Sequence, residues 1–412
     1  MNDEYLIRHA DSAEDAHKLK ELYSTVFHPE PVGILAETMF HYHPRLEKEN
    51  WHIAEHRQTG SVVAGLVLIP WTWQMDGVAL RVAEMGIVGT LKEHRRRGLF
   101  RALSESFDKS LTKQTYDLAV IQGISGFYNR FGYHYALPLE NQVNLSLHWI
   151  ASRDGLYVFR RATLKDIPFL MREDTEFRQN HSLSALRDEA TWGYLLTHSA
   201  KTVYGSEFWI MDRGEDGLSY YFRIPHQGFG KGLIVSEVSD CIPFDALEHL
   251  LSFCKQKAEE RSKPYIRINL TNESRPVIKA IAMGANKGTP YAWQVKVPDV
   301  QRFLKNIAPV LERRMRSSAC PRFTGIFRLD LYEAKLDLSW ESGRLMSIDI
   351  GDGERECGLR ISNDLLPALL LGYRTWRELR YIRPDVRPNP GRSTLLVDAL
   401  FPQRVSWIHE QY

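Results

Sequence analysis

The stretch Ile87-Val88-Gly89-Thr90-Leu91-Lys92-Glu93-His94-Arg95-Arg96-Arg97-Gly98-Leu99-Phe100-Arg101 decides how this chain is read. Its opening residues close an apolar run with the character of a buried strand. Three arginines and a glycine follow. Phe100, Leu103, Phe107 and Leu111 then recur at steps of three and four, which is one buried face of a helix. The first turn of a helix offers unpaired backbone N–H groups at the positive end of its dipole, a ready site for an anion. Gly98 lets the backbone approach a bulky pyrophosphate with no Cβ between them. The arginines add charge-assisted donors. The plainer alternative is a solvated basic turn ahead of an ordinary helix. The position directly after a continuous apolar strand favours the anion site.

Outward from this stretch, residues 5–9 read as a strand. A helix capped near Ser12 follows, with Ala16, Leu19, Tyr23 and Val26 on one face. Residues 27–50 read as irregular. Residues 51–55 and 62–73 read as strands, the second interrupted by Pro70, and Asp76-Gly77 as a hairpin turn leading into residues 78–90. Residues 118–122 are a further buried strand. A second block from about Leu156 echoes the start of the first: Phe159-Arg160-Arg161-Ala162 repeats Ile7-Arg8-His9-Ala10 ahead of a helix with an early Asp. It has no counterpart of the arginine-glycine run. A third block from about Pro298 opens with an amphipathic helix over 300–311. Strands follow in which Phe327, Leu329, Leu331, Leu336, Leu338, Trp340, Met346, Ile348 and Ile350 alternate with polar residues. Residues 365–371 then form an apolar helix. The tail from Leu400 carries Phe401, Trp407 and Tyr412, a composition expected to dock rather than fray.

The 412 residues suit about three domains. With 43% apolar and 25% charged residues the composition is that of an ordinary globular protein. Lys and Arg total 53 against 51 acidic residues, a net charge of +2, which gives no long-range attraction to nucleic acid or to an acidic membrane. Met1 to Glu4 is polar, no signal-type apolar stretch follows it, and no run reaches the roughly 20 apolar residues of a membrane span. A cytoplasmic location is expected. The four cysteines are scattered and form no Cys-x-x-Cys pair, while His41, His43, His52 and His56 lack partners at metal-ligand spacing. No metal is expected.

Arg95-x-x-Gly98-x-Phe100 resembles the (Gln/Arg)-x-x-Gly-x-(Gly/Ala) loop of the GNAT acetyltransferases. Residues 123–133, Gly-Ile-Ser-Gly-Phe-Tyr-Asn-Arg-Phe-Gly-Tyr, resemble the later segment in which a tyrosine sits beside the acetyl-CoA sulfur. Phe100 departs from the small residue of the superfamily loop, and with His94-Arg95-Arg96-Arg97-Gly98 before it is similar to the enhanced intracellular survival branch. The resemblance implies a mixed α+β chain of two tandem GNAT-like domains, residues 1–150 and a degenerate one over 151–297. A domain resembling sterol carrier proteins follows over 298–412. It implies acetyl-CoA lying along Val88, Gly89 and Thr90, its pyrophosphate on the amides of Arg96, Arg97, Gly98, Leu99, Phe100 and Arg101, and its pantetheine arm flanked by Gly123 and Ile124.

The same resemblance implies Tyr128 as the general acid for the departing thiolate. Its plain alternative is a core tyrosine beside Phe127 and Phe131. As base it implies the α-carboxylate of Tyr412, with Glu84 the alternative. The expected reaction is direct transfer of acetyl to a primary amine of a small molecule, aminoglycoside-like or other, because no cysteine lies in the first block to carry the acetyl group. Gln411 stands where an acid would favour a polycation, leaving Glu30 and Glu410 as nearby carboxylates. The rival reading is a CoA-binding regulatory protein that has lost catalysis. A homo-oligomer, a hexamer, enters by resemblance alone.

Overall fold

In the computed structural model, which describes residues 4–153, 155–214, 217–228, 230–410 and 412, the Asp76-Gly77 turn does what its sequence dictates. Both residues take positive φ, 45° and 87°, the geometry whose twist matches a two-residue hairpin. It joins β3 (Ser61–Met75) to β4 (Val78–Thr90), the longest pair in the molecule. Around them lie β1 (Tyr5–His9), α1 (Ala13–Val26), α2 (Val32–Tyr42), β2 (Trp51–His56), α3 (Leu99–Lys113), β5 (Leu118–Ile121) and β6 (His134–Glu140).

Two of these differ from expectation. Residues 27–50 are not irregular, because α2 fills their middle. Its buried Val32, Leu35, Ala36 and Met39 are accompanied by an exposed Ile34, so apolar residues surround the helix and no stripe marks it. Strand β3 runs unbroken through Pro70. β2 pairs with it only as far as Val67 and the short strand Leu183–Ala185 only from Trp73, so Pro70 stands in a gap on that edge where no N–H is required.

The first sheet runs β1-β2-β3-β4-β5, then the strand Tyr291–Lys296, then β6. The strand inserted between β5 and β6 comes from the end of the second block. Reciprocally, Val143–Ser146, from the end of the first block, lies between Tyr265–Ile268 and Asn286–Lys287 in the second block's sheet. Each block thus completes a sheet with the other's last strand.

The internal echo is structural. Arg8 on β1 grips Asp15 through two nitrogens at 2.9 and 2.7 Å and reaches Glu55 on β2 at 2.6 Å. Arg160 grips Asp166 at 2.9 Å through each of two nitrogens and reaches Asp212 at 3.0 Å. The registers match as well: Arg8 lies opposite Ile53, two residues before Glu55, and Arg160 opposite Ile210, two before Asp212.

The third unit is a five-stranded sheet with helices packed on it. Its first helix is not the single one expected over 300–311. Val300–Asn306 and Ala308–Arg316 are separate, since Pro309 in the second's first turn cannot extend the hydrogen-bond ladder of the first. One continuous apolar core joins this unit to the first sheet. Trp71, Trp73 and Trp293 meet edge-on at its centre, with centroids 6.0–6.1 Å apart. Trp293 belongs to the exchanged strand and is fully buried. Trp293→Ala should therefore cost roughly 3–5 kcal/mol in denaturant unfolding and loosen both units together, because it removes a core aromatic from the strand that joins them.

Candidate functional site

The site begins where β4 and β5 part. They pair in parallel at Val82↔Leu118, Ala83↔Ala119 and Glu84↔Val120, and not beyond. From Met85 onward the β5-facing edge of β4 has no strand partner among the described residues. The far side of β4 shows why. Between the pairs Val67↔Gly86 and Gly65↔Gly89, two steps along β3 match three along β4, a bulge on β4. Ile87 inside it takes φ +43°, a conformation a β-branched residue adopts only when its surroundings force it.

The opening leads into a cleft of about 360 Å³. One wall is Met85, Gly86, Ile87 and Val88, the opposite wall Ile121, Gln122, Gly123, Ile124 and Tyr128. Phe27, Val32 and Leu35 add an apolar side. Tyr204, Pro225, Gln227, Gly228 and Asn269 of the second unit, with Glu410 and Tyr412 of the tail, close the end. A more open hollow of about 610 Å³, around Gln74, Arg178 and Arg404, lies at the other end of the β3–β4 hairpin and holds none of these groups.

Glu84 stands at the parting of the strands, only 2% exposed. Its Oε1 accepts the Tyr412 hydroxyl at 2.8 Å, and its buried Oε2 has no hydrogen-bond partner among the described residues. Burial pushes its carboxyl up to about 8, with hydrogen bonds from Tyr412 and Gln122 opposing the shift and Glu410 adding to it. Tyr128 opens a short turn over Tyr128–Phe131 and is largely buried. Burial raises its hydroxyl to about 12, so it is a proton donor at neutral pH. Its ring lies against Gly123, where a Cβ would come within 2.3 Å of Tyr128 Cδ2; only glycine permits this packing. Phe100, the departure from the superfamily loop, is part of the same cluster: its ring centroid is 5.9 Å from Tyr128, 5.2 Å from Phe127 and 4.8 Å from Phe131.

Past Thr90, a short turn over Lys92–His94 leads to the arginines. Arg95 Nε donates to the Thr90 carbonyl at 3.2 Å, and Arg97 pairs with Glu4 at 2.9 Å. Arg96 and Arg101 are exposed and have no partner among the described residues. Arg96 and Gly98 both take positive φ, 64° and 77°, which turns the chain into the first turn of α3. A Cβ on Gly98 would meet nothing within 4 Å, so that face is open to a ligand. The amides of Leu99, Phe100 and Arg101 precede the first intrahelical bond, from Ala102 N–H to the Gly98 carbonyl. The loop itself does not line the cleft; it lies beyond Val88, Gly89 and Thr90 along the same strand.

Tyr412 thus reaches the first unit, and it meets the site through its ring and hydroxyl. Glu410 lines the cleft, whereas Glu30 does not and instead accepts the Tyr204 hydroxyl at 3.0 Å. Gln411 lies outside the described residues. Glu140 on β6 is a lining carboxylate that the sequence reading missed, and Tyr204, Gln227 and Asn269 are further lining residues that it missed. No local motif marks them, since they are gathered by packing between units. Burial raises the Glu140 carboxyl, and its near partner is the Gln142 amide at 3.0 Å. No lysine or arginine lines the cleft among the described residues. Outside it, Glu173, Glu176 and Cys241 bring possible ligand atoms within 4.8 Å of one another. No helix among the described residues is long and apolar enough to cross a membrane.

Residues 7–136 match the model of the acetyltransferase (GNAT) domain. No curated protein matches the chain in sequence. Among solved structures, the GCN5-related N-acetyltransferase of Anabaena variabilis superposes with a TM-score of 0.69 at 15% identity, over 98% of this chain and 99% of that one. A conserved Enterococcus faecalis protein, named as a probable N-acyltransferase, gives 0.71 at 13% identity over 99% of each. Eis1 of Mycobacterium abscessus gives 0.64 at 13%, over 99% and 100%. The expected mixed α+β architecture therefore extends along the whole chain, and its first third is a GNAT acetyltransferase domain.

The buried Glu84 sets a pH signature. Its folded value of about 8 lies above the ordinary 4.5, so between those values the folded state holds a proton that the unfolded chain has released. This contribution is complete below pH 4.5 and is lost as pH rises to 8. Stability should fall across that window by about 1.4 kcal/mol per pH unit and level off above it. Denaturant unfolding of wild type and Glu84→Gln from pH 5 to 9 should show this slope only in wild type.

Proposed function

We propose that this chain, whose residues 7–136 are a GNAT acetyltransferase domain, is an acetyl-CoA-dependent N-acetyltransferase acting on a primary amine. The observation that carries the reading is the meeting of a proton acceptor, Glu84, and a proton donor, Tyr128, in one cleft at the parting of β4 and β5.

The residues fit the co-substrate. The free edge of β4 offers Val88, Gly89 and Thr90 for strand-like pairing with the pantetheine amides. Arg96, Arg101 and the first amides of α3 offer donors to the pyrophosphate, over an unobstructed Gly98. Gly123 and Ile124 flank the arm. Bound there, acetyl-CoA supplies the acetyl thioester.

The chain's own groups do the rest. Glu140 and Glu84 place buried carboxyl groups and no cation at the acceptor end, which suits a neutral amine ready to attack, and the charge of Glu410 is already answered by Arg223 at 2.9 Å. Phe27, Val32 and Leu35 exclude water on one side. Glu84, in its ionised form, accepts the proton the amine nitrogen sheds as the N–C bond forms and releases it to solvent afterwards. A base with a pKa near the working pH suits this task. Tyr128 gives a proton to the sulfur as the C–S bond breaks and regains one from solvent. The base in this proposal is Glu84 rather than the α-carboxylate of Tyr412. Glu84 has a buried oxygen free for the proton, and Tyr412 supports it from the side through its hydroxyl.

A CoA-release assay across a panel of primary amines tests the proposal; no turnover of any amine would favour the catalytically lapsed reading. Tyr128→Phe should keep acetyl-CoA affinity within about twofold and lower kcat by roughly 10²–10⁴-fold. Unchanged kcat, on an amine for which transfer is rate-limiting, would remove Tyr128 from the acid role.

A further inference from the structure

The tail that carries Tyr412 is held by charges buried in the second unit. Arg187, its side chain wholly buried, donates to Asp174 at 2.7 Å and to both oxygens of Glu237 at 3.0 Å. The same Nη2 lies 3.1 Å from His409 Nδ1. Arg223, 1% exposed, donates to Glu237 at 3.1 Å, and its Nη2 lies 2.9 Å from Glu410. With Arg178 on Asp174 at 3.1 Å, three arginines answer three carboxylates, and one of those carboxylates belongs to the tail.

Buried charges of this kind are costly to assemble and give little net stability, so their value lies in fixing one arrangement. Here the arrangement that they fix is the path of residues 405–410 and the placement of Tyr412. Val405 and Trp407 pair with Ser182 and Leu183 through backbone hydrogen bonds of 2.8 and 3.1 Å, and the His409 ring stacks on Phe177 at 3.9 Å. Two residues after Glu410, Tyr412 places its hydroxyl on Glu84.

We propose that Arg187 and Arg223 are positioning residues for transfer in the first unit: they clamp His409 and Glu410 and thereby hold the Tyr412 hydroxyl on Glu84. The second unit, which lacks the arginine-glycine loop, acts on the reaction through the tail. This rests on the site assigned above.

The test uses the full-length protein with Arg223→Gln, Glu410→Gln and the double variant. Arg404 is exposed directly before the docked segment, so limited trypsin digestion reads release of residues 405–412 without reference to activity. Arg223→Gln should speed that release by about tenfold or more and lower kcat on the order of 10²-fold, with acetyl-CoA affinity within about twofold. The double variant should be no worse than Arg223→Gln alone, because both changes break one link. If Arg223→Gln does not fold, Glu410→Gln carries the test, since it leaves the buried arginines and Glu237 in place. Unchanged tail release, faster release with unchanged kcat, or additive losses would each overturn the proposal. If wild type transfers acetyl to no amine, the functional reading falls, and the release rates alone decide whether the network holds the tail.

Discussion

Everything at the site depends on β4 and β5 ceasing to pair after Glu84↔Val120. A parallel pair that continued would satisfy the backbone groups of both strands and leave no cleft. Instead, the extra residue of β4 around Ile87 re-aims that strand, and an edge of unpaired backbone opens between two otherwise well-paired halves of one sheet. An unpaired, half-buried edge is a ready partner for another extended chain. That is the physical reason to read it as a place for an extended ligand carrying amides, and it puts Glu84 at the root of the opening, where burial alone is enough to raise its carboxyl.

The same constraint explains why three units meet here. A cleft in the middle of a sheet needs an end wall. The first unit supplies none from its own strands, since its sheet is completed past β5 by Tyr291–Lys296 from the second unit. Gln294 and Tyr291 of that strand hold the Gly123 carbonyl at 2.9 and 2.5 Å, which fixes the wall on which Tyr128 packs. The exchange of strands thus makes the second unit part of the site's frame, and its buried arginines extend that frame to the tail.

Much of this was legible in the sequence, and the pattern of what was not is informative. The Asp76-Gly77 turn, the face of α3 and the Arg8/Arg160 echo are local, with signals contained within a few residues of one another. The helix α2 was hidden because apolar residues surround it, and the break at Ile307 because the apolar period continues across Pro309. Long-range partners leave no local trace. The exchanged strands pair across well over a hundred residues, and the Tyr412 hydroxyl meets Glu84 across a separation of 328. The sequence pointed to Tyr128 as acid and to the Tyr412 α-carboxylate or Glu84 as alternative bases of one site. Only packing shows that Tyr412 meets Glu84 through its hydroxyl, and that Glu140 belongs with them.

The central claim, that the open edge of β4 and the start of α3 together seat acetyl-CoA, is tested most directly by titrating acetyl-CoA calorimetrically into wild type and Gly98→Asp. The side chain at position 98 would enter open space, and Asp is among the few residues that tolerate the positive φ there, at a cost of about 1–2 kcal/mol, so the melting temperature should fall by only several degrees while a carboxylate is placed where the pyrophosphate lies. The account predicts saturable binding to wild type and a loss of affinity of about tenfold or more in the variant. Equal affinity in a stably folded Gly98→Asp protein would contradict it.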